Sequence, residues 1–319
     1  MAKLSLHGIV PPVVTPLTHN MQVDVASLRR VVRHLIDGGV HGLFILGSSS
    51  EVEFLDETRR ATVIQTVVDE AAGRVPVIAG VIDTATDRSV QHARQARELG
   101  ADGLVLTAPF YTRTAQSEII DHFCYVRDAV DLPLIAYDIP SRVNIKLERE
   151  TLLSLYKRKA IVGLKDSSGD DANMRMVMRD FAQHPDFAIL TGSEITVDYA
   201  LLGGAHGAVP GLANVDPAGY VRLYDAAKNG DWDAARAEQQ RLIELFEIEF
   251  QGVPITGSNA SGIGGFKTAM QMMGLISHRH MNRPNAVLSD AQARKVRAIV
   301  EKSGLPTVVV PQRSQVSHL

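Results

Sequence analysis

The chain has 319 residues, of which 45% are hydrophobic and 22% charged, and its formal net charge is −3. That balance is ordinary for a globular protein, and with no block of lysine or arginine it argues against nucleic acid or an anionic membrane as the main partner. No apolar stretch reaches bilayer-spanning length and the N-terminus lacks a long apolar signal core, so the expected location is cytoplasmic.

Short apolar runs alternate with amphipathic stretches as far as about residue 230. Strands are predicted at 9–14, 42–46, 75–80, 103–108, 133–138, 161–166, 187–191 and 207–210. Between them, apolar residues recur at helical spacing, as in Val25, Leu28, Val31, Val32, Leu35 and Ile36. Asp24 is suited to cap that helix and Gly38-Gly39 to end it. Helix-to-strand junctions repeat, with Gly39-Val-His-Gly, Gly100-Ala-Asp-Gly and Gly204-Ala-His-Gly at equivalent places. The first glycine supplies a left-handed helix stop and the second a tight strand entry. Eight such units predict an α/β fold, a (β/α)8 TIM barrel spanning residues 1–230. A doubly wound sheet is the competing architecture, weakened by the lack of a G-x-G-x-x-G after the first strand. From 231 to 304 the strand signal is gone, and helices are expected at 232–250, roughly 262–274 and 289–303 as an appendage packed on the barrel. Residues 305–319 carry no periodicity and read as a loose tail.

Cys124 is the one cysteine, so no intrachain disulfide is possible. Set among Ile119, Ile120, Phe123 and Val126, it reads as a small buried hydrophobe.

In a barrel of this kind the chemistry collects at the C-terminal ends of the strands. There stand Gly47-Ser-Ser-Ser-Glu51 after strand two, Phe110-Tyr111 after strand four and Tyr137-Asp-Ile-Pro-Ser-Arg142 after strand five. Lys165 ends strand six, Gly192-Ser-Glu194 follows strand seven, and Val209-Pro-Gly211 closes strand eight. Lys165 carries the most information. It ends an apolar run that reads as a strand covered on both faces, where low dielectric disfavours an ammonium ion. A neutral lysine attacks carbonyl carbon, so the position suits a Schiff base, against the plainer alternative of a lysine reaching from a strand end into water.

Strand alternation puts Gly163 and Lys165 on one face, with Ile135 and Tyr137 on the matching face of strand five. If that face points inward, Gly163 leaves room below the lysine chain and Tyr137 enters the same cavity. Imine formation needs a proton shuttle, for which Tyr137 aided by the Ser48 hydroxyl is suited. The serine-rich turn offers backbone N–H groups and hydroxyls to a carboxylate, or alternatively just caps the next helix. Arg142 is suited to clamp a second carboxylate, unless it is an ordinary surface ion-pairing residue. Tyr111 and Tyr137 are equally compatible with packing roles.

Together these residues resemble the dihydrodipicolinate synthase / N-acetylneuraminate lyase family of pyruvate-dependent class I aldolases, over roughly residues 7 to 300 with five motifs in the family's order. The resemblance implies that Ser48 and Ser49 hold the pyruvate carboxylate, that Tyr137 relays protons and that Lys165 forms the covalent imine, with no other cofactor and no metal. It implies that Tyr111 reaches across a dimer interface, in a homotetramer built from two tight dimers. The expected catalytic set is thus Lys165, Tyr137, Ser48 and Tyr111. The substrate-binding set is Ser49, Arg142, Gly192 and Val209. The expected partners are pyruvate and an aldehyde.

Three departures bear on the substrate. Ser50 replaces the turn's glycine, while Ser48 in place of threonine and Phe110 in place of the first tyrosine look like the sugar-acid lyases. Arg142 looks like the synthases, where it binds aspartate semialdehyde. The leading expectation is a 4-hydroxy-tetrahydrodipicolinate synthase-like lyase. The alternatives are a 2-keto-3-deoxy sugar-acid aldolase or dehydratase and a non-catalytic 2-oxo-acid-binding relative. Metal-dependent barrel chemistry is disfavoured, since His278-Arg-His280 lies beyond the barrel and no H-E-x-x-H occurs.

Overall fold

The computed structural model describes Leu4 and residues 6–308. Among these residues, eight parallel strands form one sheet: β1 (Gly8–Ile9), β2 (Leu43–Ile45), β3 (Val77–Gly80), β4 (Gly103–Thr107), β5 (Leu134–Asp138), β6 (Gly163–Asp166), β7 (Ala188–Thr191) and β8 (Gly207–Ala208). Their order is β1-β8-β7-β6-β5-β4-β3-β2. The ring closes through a parallel bridge between Pro12 and Phe44, where the Val13 N–H donates to the Phe44 carbonyl at 2.8 Å. The fold is a (β/α)8 barrel. All eight expected strands are present, but β1 is shorter than expected because Pro11 and Pro12 have no N–H to give the ladder.

The connecting helices are α1 (Val25–Asp37), α2 (Glu57–Ala71), α3 (Thr86–Glu98), α4 (Gln116–Ala129), α5 (Pro140–Val143), α6 (Arg149–Lys157), α7 (Asp171–Asp180), α8 (Val197–Leu202) and α9 (Pro217–Lys228). The single turn of α5 precedes the true crossover helix α6. Asp24 does cap α1, accepting from the Ser27 N–H, and Leu28, Val31, Val32 and Leu35 form its buried stripe. Burial of each such side chain contributes about 1.5–3 kcal/mol. The repeated junction glycines Gly39, Gly100 and Gly204 sit at φ +85, +87 and +106, where a Cβ is strained.

Beyond the barrel come α10 (Trp232–Phe246), α11 (Ser258–Met272) and α12 (Asp290–Lys302). Helix α11 begins four residues before the expected 262 because Gly257 and Ser258 open it, and its glycine-rich face blurred the periodicity. From Ala260 through Met270 it is buried on every side, so it packs as an internal helix. Of the tail expected from 305, Val308 donates its N–H to the Met272 carbonyl at 2.7 Å, and residues 309–319 lie outside the described residues.

Gly163 has a different role from the expected one of leaving room for the lysine. A Cβ there would stand 2.7 Å from the Ala188 carbonyl oxygen, so the glycine is set by the close approach of β6 to β7. Gly163→Ala should therefore destabilise the protein by about 1–3 kcal/mol, the usual cost of overpacking, read from equilibrium denaturation.

Candidate active site

Lys165 and Tyr137 are register partners across the β5–β6 ladder, so their side chains leave the same face side by side. Lys165 is 6% exposed and Tyr137 3%. The lysine Nζ lies 4.0 Å from the centroid of the Tyr137 ring and 4.9 Å from that of Phe44. The amine thus meets the face of the phenol ring, and the phenolic oxygen turns to Ser48, whose Oγ is 3.5 Å away. Two aromatic rings therefore lie against the one nitrogen.

Ser48 reaches this place because the chain turns sharply after β2. Leu46 adopts φ +56, Ser48–Ser50 form one 3₁₀ turn, and Glu51 adopts φ +57. The leading N–H groups of such a turn, those of Ser48 and Ser49, find no acceptor within it and are offered outward. Ser50 donates its hydroxyl to the Val13 carbonyl at 2.5 Å, pinning the turn to the segment after β1 in a way a glycine cannot. Glu51 then plunges into the interior. Its carboxylate is paired with the fully buried Lys267 of α11 and accepts from the Asn282 backbone N–H at 2.7 Å. The Lys267 ammonium also donates to the His280 carbonyl at 2.9 Å. Burial pushes the Lys267 pKa down, against the pull of Glu51.

A cleft of about 150 Å³ opens beside Ser48 and Ser49, walled by Arg142, Glu194, Glu249, Asn259 and Phe266. Arg142 is carried by α5, on a loop fixed from Asp138. That carboxylate pairs with Lys146 at 2.5 Å and accepts the Leu147 N–H at 3.0 Å. The Arg142 guanidinium donates to Asn259 Oδ1 at 2.6 Å. Glu194 accepts the Gly211 N–H at 2.9 Å, and its own carbonyl is held by the Tyr220 hydroxyl and the Gln239 amide. Desolvation raises the Glu194 pKa, opposed by Gly211 and by the Lys165 charge. Desolvation, with Glu194 as a like charge, lifts Glu249 to about 7, while Arg142 opposes the rise.

The other expected positions fall elsewhere. Tyr111 is 96% exposed at φ +72, so within its own chain it takes no part in the cleft; its left-handed backbone throws the ring into solvent. Gly192 lies in a neighbouring depression of about 340 Å³ with Asp166, Ser167 and Thr191. A Cβ on it would meet the Ser167 side chain. Val209 is buried and donates its N–H to Thr191 at 2.7 Å.

Sequence reading passed over Glu249, Asn259 and Lys267. A single lysine inside an otherwise apolar, glycine-rich helix was the available signal for Lys267. No helix among the described residues is long and apolar enough to cross a membrane.

A parallel eight-stranded barrel with a buried lysine at a strand end, beside a tyrosine and a serine turn, defines a well-populated class. The dihydrodipicolinate synthetase family model matches residues 5–303. An uncharacterized DapA-like lyase of Halobacterium salinarum is 38% identical over 82% of this chain and 86% of its own length. The dihydrodipicolinate synthase structure of Bacteroides thetaiotaomicron superposes with TM-score 0.88 at 33% identity, covering 94% of this chain and 99% of that one. YagE of Escherichia coli K12, a prophage protein of the dihydrodipicolinic acid synthase family determined in complex with pyruvate, gives TM-score 0.87 at 26% identity, over 95% and 100% of the two chains. The chain belongs to the dihydrodipicolinate synthetase family, a family of lyases.

Two stability measurements follow from the geometry. Lys267→Ala strands the Glu51 carboxylate in the interior and should cost about 3–5 kcal/mol in chemical denaturation; Lys267→Met with Glu51→Gln should recover part of it. For Glu249 the folded protein holds its proton from the ordinary 4.5 up to about 7, whereas the unfolded chain has released it. Its contribution to stability is therefore present below pH 4.5 and falls as the pH rises to about 7. Glu249→Gln should remove that decline from the pH dependence of the denaturation midpoint.

Proposed function

We propose that the protein is a class I lyase that condenses pyruvate with an aldehyde through an imine on Lys165. The observation that carries this reading is the buried Lys165 amine 4.0 Å from the Tyr137 ring, with Ser48 against the phenol. As the free base, Nζ attacks the ketone carbon of pyruvate. Tyr137 passes a proton to the carbinolamine oxygen, which leaves as water and yields the iminium. The Ser48 and Ser49 N–H groups hold the pyruvate carboxylate. Loss of a methyl proton sends the C–H electron pair to the iminium nitrogen, giving an enamine. The enamine carbon attacks the aldehyde carbon, the aldehyde oxygen takes up a proton, and water hydrolyses the product imine to free Lys165. The aromatic faces of Tyr137 and Phe44 stabilise the cationic stage.

For the aldehyde, Arg142 at the cleft wall supports one that bears its own carboxylate, as aspartate semialdehyde does, which is the reaction of a 4-hydroxy-tetrahydrodipicolinate synthase. Glu194 and Glu249 facing the same cleft favour a second reading, aldol cleavage or dehydration of a 2-keto-3-deoxy sugar acid whose hydroxyls donate to them. The exposed Tyr111 is available to a second subunit, in keeping with a dimer-based homotetramer.

Borohydride reduction with pyruvate, followed by intact-mass analysis, should add one reduced pyruvate adduct at Lys165 and none to Lys165→Ala; absence of the adduct in the wild type would sink the mechanism. Tyr137→Phe should lower kcat by about 10²–10⁴-fold, the span of general acid–base contributions. Turnover of aspartate semialdehyde against cleavage of 2-keto-3-deoxy acids separates the two substrate readings.

A further inference from the structure

Three histidines that the proposed chemistry does not use meet on the surface, and none of them lines the cleft. His19 sits in a turn closed by the antiparallel bridge Leu17–Val23, where the Thr18 N–H donates to the Gln22 carbonyl at 2.8 Å. His278 and His280 lie on the segment between α11 and α12. One ring nitrogen from each histidine lies within 4.8 Å of the other two, and His280 Nε2 is 3.1 Å from His19 Nδ1. We propose that His19, His278 and His280 form a binding site for a first-row divalent cation, with Zn²⁺ the ion best matched to three imidazoles and a water.

The geometry fits that donor set. Tetrahedral zinc with Zn–N bonds of about 2.0–2.1 Å sets its donors about 3.3 Å apart. The His19–His280 pair already has nearly that spacing at 3.1 Å, and the His278 nitrogen lies within 4.8 Å of both. Binding needs the ligating nitrogen of each of the three rings free of hydrogen, so each neutral imidazole takes the tautomer with its proton on the other nitrogen, and no net proton is released. The nearby cations are themselves paired, Lys267 with Glu51 and Arg279 with Asp290 at 2.8 Å.

The scaffold holds both arms in place. Arg59 of α2 donates to the Met21 carbonyl on the His19 side at 3.4 Å and to Asn282 Oδ1 on the other at 3.0 Å. The same segment gives the His280 carbonyl to Lys267 and the Asn282 N–H to Glu51. An ion held by the His280 ring therefore braces the interior support of the serine turn from outside. The class of role is structural or regulatory, and it stands independently of the Schiff-base reading.

The test uses the full chain, stripped with a chelator and dialysed, then titrated with ZnCl₂ by calorimetry and with CoCl₂ by visible absorption. The expected result is one ion per chain, an intensified four-coordinate Co²⁺ spectrum, and a Tm that climbs with ion concentration. His19→Ala and His280→Ala should each weaken binding at least about 10-fold, as loss of a ligand demands, and His184→Ala should leave it unchanged. Failure of the wild type to bind either ion at micromolar concentration overturns the proposal. So does equal binding by the His19→Ala/His280→Ala double variant, which retains a folded chain because these rings lie at the surface.

Discussion

The Glu51 carboxylate has no access to water, and the shape of the serine turn follows from how that charge is satisfied. Burial of two ions costs several kcal/mol each, which only good geometry and further hydrogen bonds offset. Here one oxygen meets Lys267 and the other meets both N–H groups of Asn282. The non-glycine residue at φ +57 is held in its left-handed conformation by those partners, and the turn Ser48–Ser50 immediately precedes it. Since Lys267 and Asn282 both come from the C-terminal helical region, that region is joined to the mouth of the barrel through charge as well as through packing. An apolar pair of like volume often serves stability as well, so the ion pair is best understood as fixing one geometry for the turn.

Around the lysine the polarity is graded. Next to the amine are ring faces, which tolerate a cation without neutralising it. Across the cleft are Glu194 and Glu249, each carboxyl made less acidic by burial, an effect limited by the Gly211 N–H and Lys165 for Glu194 and by Arg142 for Glu249. The cleft thus has the serine turn on one side and a mixed wall of guanidinium, amide and weak acids on the other. That wall is where relatives of this fold can differ in the compound they accept.

The strands were legible because a sheet covered on both faces writes continuous apolar runs, and the end of each run pointed to Lys165, Tyr137 and the serine turn. Asp24 as a cap and the junction glycines were legible for local reasons, since each acts on its own backbone. What escaped was long-range. Lys267 and Glu51 are 216 positions apart, and His19 and His280 are 261 apart, so no window of sequence shows either pair. Glycine-rich α11 hid its start, and Gly163 was assigned to the lysine when the neighbouring strand required it. Tyr111 was readable as a loop residue, but its exposure within one chain was not.

The parallel pairing of Tyr137 with Lys165 has a corollary for length variation. Side chains alternate along a strand, so inserting or deleting a single residue within β5 or β6 ahead of either residue would flip it to the helix-facing surface. The loops that follow the strands have no such parity. Insertions and deletions should accordingly accumulate in segments such as 192–196 after β7, where new lengths reshape the wall of the cleft, and the barrel staves should keep a fixed count.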